Sequence, residues 1–351
     1  MNGTLGARSI STIDFSSLET AQEKLRFLLA YAVLAPSSHN SQPWRFRLCA
    51  DHIELIADRS RALPILDPQD RELIISCGAA LGHLEIALRR FGYCGDIQSF
   101  PDPSDRDLLA CIRLGKPHLP DARDERLFES LFARHTNRKA FRPERISTEF
   151  LAKLESPALR QEVWLKIVGD GECRASLADL IAHADRDQIA DCRFRRELAH
   201  WIHPVTGQYP QPEDGIPCEA LGMPGLIANV GPFLVRTFDT GALFAARDRQ
   251  LAINSPLLVV LGTEEDTPAV WLKTGQALSD LLLSATAEGI AASFLNAPIE
   301  VVALRLQVGK ILGQEGYSQM ILRLGYGEAT DPTPRRPLEN VIEHKETGAC
   351  L

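Results

Sequence analysis

The 351-residue sequence has no apolar run approaching the roughly 18 residues that a membrane-crossing helix requires. Positive charge is also scarce: 38 Lys and Arg stand against 46 Asp and Glu, a formal net charge of −8 with a pI near 5.7. That balance argues against a nucleic-acid or anionic-membrane surface. The eight cysteines, at 49, 77, 94, 111, 173, 192, 218 and 350, form no CxxC pair, and nothing signal-like opens the chain. They are therefore expected to be reduced thiols of a soluble cytoplasmic protein, not a disulfide framework. Walker, GxGxxG and GxSxG patterns are missing, so neither a nucleotide-phosphate loop, a Rossmann domain nor a hydrolase elbow is supported. "HWIH" (200–203) has no third ligand nearby and reads as a partly exposed helix end, so no metal is expected. What remains is a chain long enough for about two domains with a small molecule as its partner.

Helical spacing of apolar residues runs through 19–34 ("ETAQEKLRFLLAYAVL") and stops at Pro36; "WRFRL" (44–48) then alternates as a half-buried strand does. A second helix is expected over 72–91 and a strand over "LLACIRLG" (108–115). The same order recurs. "CGAALGHLEIALRRFG" (77–92) aligns with "TGQALSDLLLSATAEG" (274–289), Gly78 with Gly275 and Leu81 with Leu278, at a constant offset of 197 (275 minus 78). "CIRLG" (111–115) is echoed by "ILRLG" (321–325) at an offset of 210 (321 minus 111), which implies extra residues in the second copy. Two amphipathic core helices also match at several positions by chance, so spacing alone leaves both readings open. A duplication would make the chain a fused dimer of two α+β copies, 1–125 and 126–345, with a ligand site at the seam.

"LAPSSHNSQPWRF" (34–46) packs Pro36, Ser37, Ser38, His39, Asn40 and Gln42 into one helix-to-strand corner. Small side chains let the backbone approach a ligand, and an Asn amide offers both a donor and an acceptor; the same residues also make an ordinary helix end and turn. Gln42, Pro43 and Trp44 read mainly as structure at the strand entrance. A hundred residues later "RHTNRKAF" (134–141) supplies two guanidiniums flanking a threonine, which taken alone also reads as a solvated basic loop.

The corner resembles the segment after the first long helix of FMN-dependent nitroreductases, and "RHTNRKAF" resembles that family's N-terminal Arg-rich flavin segment. The family is α+β and homodimeric, with flavin at the dimer interface. Here the first copy has the corner without the Arg motif, and the second has the Arg motif without the corner. These complementary losses resemble the single-chain, two-copy branch that includes mycobacterial proteins proposed to sequester FMN, and they imply one FMN per chain, with a monomer or a further homodimer both open. The resemblance places Arg134 and Thr136 at the flavin phosphate, Arg138 near N1 and O2, and Pro36, Ser37, Ser38 and Asn40 along the ring and ribityl chain. It places Ser293, Phe294, Leu295 and Asn296 of "GIAASFLNAPIE" at the N5 edge, although the family's Pro-x-Glu-Gly is absent there. Arg335 and Arg336 of "DPTPRRPLENVI" match the basic C-terminal segment beside the phosphate. Arg323 is read equally well as a strand-edge ion-pair partner.

The implied chemistry is hydride transfer from NAD(P)H through flavin N5 to a nitroaromatic, quinone or similar acceptor, with no catalytic side chain required. His39 is the tempting acid or base, but solvent can supply the proton. Some fifty residues between Trp201 and the strand "SPLLVVLG" are rich in Pro and Gly, and the branch places a lid there, about 202–250. An open lid gives an oxidoreductase; a closed one gives an FMN-sequestering protein. A duplicated scaffold with dead sites that serves in protein interaction is the third alternative.

Overall fold

The computed structural model describes residues 14–155, 162–169, 171–204, 212–221 and 225–343. The first α-helices and β-strands of the chain are α1 (Ala21–Ala32), β1 (Trp44–Leu48), β2 (His52–Ala57), α2 (Arg71–Arg90), β3 (Tyr93–Ser99) and β4 (Leu108–Pro117). Helix α1 begins where Thr20 and Glu23 form a reciprocal capping box, which satisfies two amide donors that the first turn leaves open. After α3 (Ala122–Ala133) and α4 (Thr148–Glu155) come β5 (Val163–Val168), α5 (Glu172–Ala190), α6 (Cys192–His200), the two-residue strands β6 (Ile202–His203) and β7 (Ile216–Pro217), α7 (Gly225–Thr237) and α8 (Gly241–Asn254). The chain then returns through β8 (Leu257–Thr263), α9 (Pro268–Ala287), β9 (Ala291–Phe294), α10 (Ala297–Glu300), α11 (Val302–Leu312), β10 (Tyr317–Gly325) and β11 (Ile342–Glu343).

Among the described residues two large sheets result, in the orders β11-β1-β2-β4-β3 and β5-β8-β10-β9, and β6 pairs with β7 in a third, two-stranded one. Set β11 aside, and each large sheet is four-stranded and antiparallel with its third and fourth strands in sequence exchanged in space. The matching strands include those carrying "CIRLG" and "ILRLG". β11 lies parallel to β1, Phe46 beside Ile342, so the C-terminal segment closes onto the first sheet.

Between the sheets the two long helices α2 and α9 cross. Seventeen of the twenty α2 residues are buried, so it is a central helix, not a surface one. At the crossing, residues related by the 197 offset meet each other. A Cβ on Gly275 would stand 2.0 Å from the Ile75 carbonyl oxygen, one on Gly78 2.1 Å from the Leu272 carbonyl oxygen, and one on Gly82 2.7 Å from Cβ of Ser279, its counterpart at 82 plus 197. Only glycine permits that approach. Self-pairing of counterparts is the pattern of a two-fold interface, and it supports the duplication proposed from the sequence. One large apolar core spans both sheets and these helices, while a second lies under α5, α10 and α11.

One expectation changes, that all the cysteines are reduced thiols. Within the fifty-residue stretch, expected as a lid insertion, the chain forms α7 and α8; residues 205–211 and 222–224 of it lie outside the described residues. "HWIH" lies at the end of α6, which stops at the exposed His200, with His203 in β6. Cys49 is disulfide-bonded, while Cys77, Cys94, Cys111, Cys173, Cys192 and Cys218 are free and Cys350 lies outside the described residues. That bond also takes Cys49 out of the one His/Cys/acid cluster with metal spacing among the described residues, Cys49, His52 and Glu54. No helix among the described residues is long and apolar enough to cross a membrane.

Candidate functional site

The corner after α1 is a single turn, Ser38–Asn40, and its exit; His39 and Asn40 in the turn and Gln42 just after it all take positive φ (52°, 55° and 51°). Such backbone is costly for residues with a Cβ and persists only where neighbours hold it. The holding groups are buried amides. Asn40 Nδ2 donates to the carbonyls of Gly215 and Pro334, both at 3.0 Å, and Gln42 Nε2 donates to the Glu213 carbonyl at 3.0 Å. Gln42 Oε1 accepts from the Arg336 amide at 2.8 Å. Asn40 and Gln42 thus clamp the corner to the β6–β7 connection and to the C-terminal segment, and the Ser37 hydroxyl accepts from the Gln42 amide at 2.8 Å.

The clamped corner presents Pro36, Ser37, Ser38 and His39 to a cavity of about 230 Å³. Thr136 and Arg138 form another wall. They are fixed because the Asn137 amide donates to the Ala292 carbonyl at 2.9 Å, and Thr136 bridges to Ala292 at the edge of β9. Phe294 and Asn296 close a third side. A larger cavity of about 540 Å³ shares Thr136 and Arg138 with the first and extends past Lys139, Arg247, Thr330 and Thr333. Three distant segments that the sequence singled out therefore meet at one place.

Other expected residues lie elsewhere. Arg134 is buried and donates to the Leu34 carbonyl at 3.0 Å, in a small cleft beside Thr333 and Arg335. Arg335 donates to Asn40 Oδ1 at 2.9 Å and to the same Leu34 carbonyl at 3.3 Å. Arg336 donates to the carbonyls of Gln42 and Asn340 and does not line these cavities. Ser293 is buried opposite Arg323 in the β9–β10 ladder. The Leu295 amide is spent on the Ile321 carbonyl at 3.0 Å, and its side chain faces a neighbouring recess. Arg323 is fully buried, donates to the Asn137 carbonyl at 3.1 Å and stacks 4.2 Å from the Phe141 ring centroid, so it supports the Arg motif from beneath.

Residues the sequence did not single out complete the walls. Glu72 accepts from the Ser38 hydroxyl, from Arg71 Nη2 at 2.9 Å and from Asn296 Nδ2 at 3.4 Å, so it organises two expected site residues at once. Its place in the first turn of α2 reads from sequence as an acid favoured by the helix dipole, which hid it. Glu300 lines the cavity beside it, and Leu198, Ile216, Leu221 and Phe244, all from between β5 and β8, line the remaining side.

Electrostatically the cavity is unsettled. Arg138 Nη1 is buried with no hydrogen-bond partner, and burial, then the Arg247 charge, lower its pKa to about 10. His39 Nε2 is likewise buried and unpartnered. Burial, then Arg138, hold its pKa down at about 4, so at neutral pH it is an uncharged imidazole and no store of protons. A buried guanidinium with a spare donor is poised for an electron-rich ligand edge.

No family model matches the chain. It is 35% identical over 92% of its length, and 92% of the relative's, to the Mycobacterium tuberculosis protein named "Putative NAD(P)H nitroreductase Rv3131". The chain belongs to the NAD(P)H nitroreductase family. A second relative from the same organism, the uncharacterized protein Rv3127, is 31% identical, covering 92% of this chain and 94% of its own. Among solved structures, the FMN-dependent nitroreductase NfnB from Mycobacterium smegmatis, in complex with NADPH, aligns at 20% identity over 64% of this chain and 98% of its own, with a TM-score of 0.40. As a nitroreductase family member, the chain has its sequence-marked corner, Arg motif and β9 exit at a single cavity.

Proposed function

We propose that the protein binds FMN in the joined cavities and works as an NAD(P)H oxidoreductase, reducing nitroaromatic, quinone or similar conjugated acceptors. The carrying observation is the convergence of Ser37 and Ser38, Thr136 and Arg138, and Phe294 and Asn296 on one 230 Å³ space from three separate segments. Family membership supports the same reading.

The residues fit the cofactor. The unpartnered Arg138 Nη1 suits the electron-rich pyrimidine edge of a flavin, where a fixed cation favours negative charge. Phe294 and Met320 offer apolar surface to a ring, and Ser37 and Ser38 are small enough to let one approach. Lys139, Arg247 and Thr333 give the larger cavity cationic and hydroxyl groups for a phosphate end, with Arg134 and Arg335 behind Thr333. Bound FMN would supply the hydride acceptor and donor. The chain's own part is to position the ring, keep His39 neutral beside it and exclude water on the side of Leu198, Ile216, Leu221 and Phe244.

That last wall favours a second reading, a sequestering protein whose insertion stays closed over FMN. The two separate by one experiment. Purified protein should carry FMN, and under anaerobic conditions NADPH or NADH should bleach the bound flavin. Bleaching by dithionite but by neither nucleotide would leave only sequestration. Colourless protein that does not take up added FMN would overturn both and leave a scaffold.

A further inference from the structure

Next to the 230 Å³ cavity, and sharing His39, Phe244, Phe294 and Glu300 with it, is a recess of about 160 Å³. Its lining is largely apolar, among it Leu66, Ile189, Phe194 and Leu295, and it also carries Asp185 from α5, Asp248 from α8 and, on the side shared with the first cavity, Glu300 from α10. Asp185 is only 9% exposed, and its Oδ2 is buried with no hydrogen-bond partner. Carboxyls in such surroundings ordinarily sit with a cation or a full set of donors.

None of the nearby cations hydrogen-bonds Asp185 Oδ2. Arg71 holds Glu72 and the Gln319 carbonyl. Arg138, Arg247 and Arg323 stand around Asp248, and Arg186 lies near Asp185. Glu300 accepts from Gln188 Nε2 at 2.6 Å, and among the described residues neither Asp185 nor Glu300 forms an ion pair within 4.0 Å. The three acids do not bring their oxygens within 4.8 Å of one another, so they make no common metal site.

We propose that this recess receives the cationic end of an amphipathic ligand, an amine or amidine on a flat apolar body, so that acceptors bearing such a group are preferred. Asp185 Oδ2 takes an N–H of the cation, the Phe194, Phe244 and Phe294 rings face its flanks, and the apolar body extends into the neighbouring cavity. The proposal rests on the flavin reading only in placing that body against the ring. Burial and Asp248 raise Asp185 to about 8, and burial and Glu72 raise Glu300 well above its usual range. Asp185 then holds a proton at neutral pH. Binding a cation expels a proton from the carboxyl that pairs with it, so affinity rises as pH approaches the raised pKa and levels off above it.

The test is calorimetric titration of the full chain with 4-nitrobenzamidine and, as its neutral match, 4-nitrobenzamide, from about pH 6 to about pH 9. The amidine should bind at least about tenfold more tightly at the alkaline end. Its advantage should shrink towards pH 6, and its heat should vary with the ionisation enthalpy of the buffer because a proton is released. Asp185→Asn should cut the preference to within about twofold. Equal affinities at every pH, absence of amidine binding, or an undiminished preference in Asp185→Asn would each overturn the proposal. Should that variant not fold, the wild-type pH series decides alone. FMN content is read separately from visible absorbance, and the titration runs equally on colourless chain, so failure of the flavin reading and failure of this one are told apart.

Discussion

Arg138 shows how a single residue can carry opposite signs for stability and for binding. Without a ligand, its buried Nη1 lacks a hydrogen-bond partner and its charge sits near that of Arg247. Holding a desolvated cation there costs the fold, whereas a methionine of similar length leaves no unpaired donor. Arg138→Met should therefore leave the FMN-free chain as stable or raise its unfolding free energy by about 1 kcal/mol. The same change should weaken FMN by roughly tenfold to a hundredfold, the usual worth of a charge-assisted hydrogen bond. Urea unfolding of FMN-free protein and fluorescence titration with FMN check the two halves. A variant that loses stability in the free form while keeping FMN affinity would mean that Arg138 is structural. Asn40 shows the converse: its amide reads from sequence as a ligand contact, but both donors are spent on main-chain carbonyls that hold the strained turn.

At the scale of elements, the packing of α2 on α9 is decided by two glycines that the repeat aligns. A methyl at either position would lie 2.0 or 2.1 Å from a backbone carbonyl oxygen of the other helix, so the helices have to move apart. Gly78→Ala or Gly275→Ala should cost about 1–3 kcal/mol in urea unfolding. The double variant should cost less than the sum, because one separation relieves both clashes. Gly169, with nothing within 4 Å of its Cβ position, should tolerate alanine within about 0.5 kcal/mol. The repeat made this crossing partly legible, as the apolar spacing over 19–34 marked α1. The insertion was legible but its helices were not: the stretch stood out as rich in Pro and Gly, yet Pro232 lies inside α7 and α8 packs against α5. Tertiary packing overrode local preference there, and the apolar residues lining the cavity from this insertion were hidden with them. Glu72 was missed for a different reason, since its role depends on Ser38 and Asn296, which are remote in sequence.

For the whole molecule, the two large sheets share one strand order but their surroundings differ, and that asymmetry bears on how many flavins the proposed function requires. The corner occurs only before β1 and the Arg motif only before the second copy, so one seam receives both. The C-terminal segment adds to the imbalance: β11 joins the first sheet and brings Thr333 and Arg335 beside the same corner. No equivalent segment follows the first copy, which runs from β4 straight into α3. We therefore expect one FMN per chain on release by denaturation, measured against protein concentration by amino-acid analysis. Because all of these groups lie on one chain, the melting temperature of FMN-saturated protein should not change across about a hundredfold range of protein concentration, as it would if a second chain completed the site. Two flavins per chain would show that the second seam binds without a Ser-Ser-x-Asn corner. A melting temperature that climbs with concentration would instead show that two fused copies still need a partner.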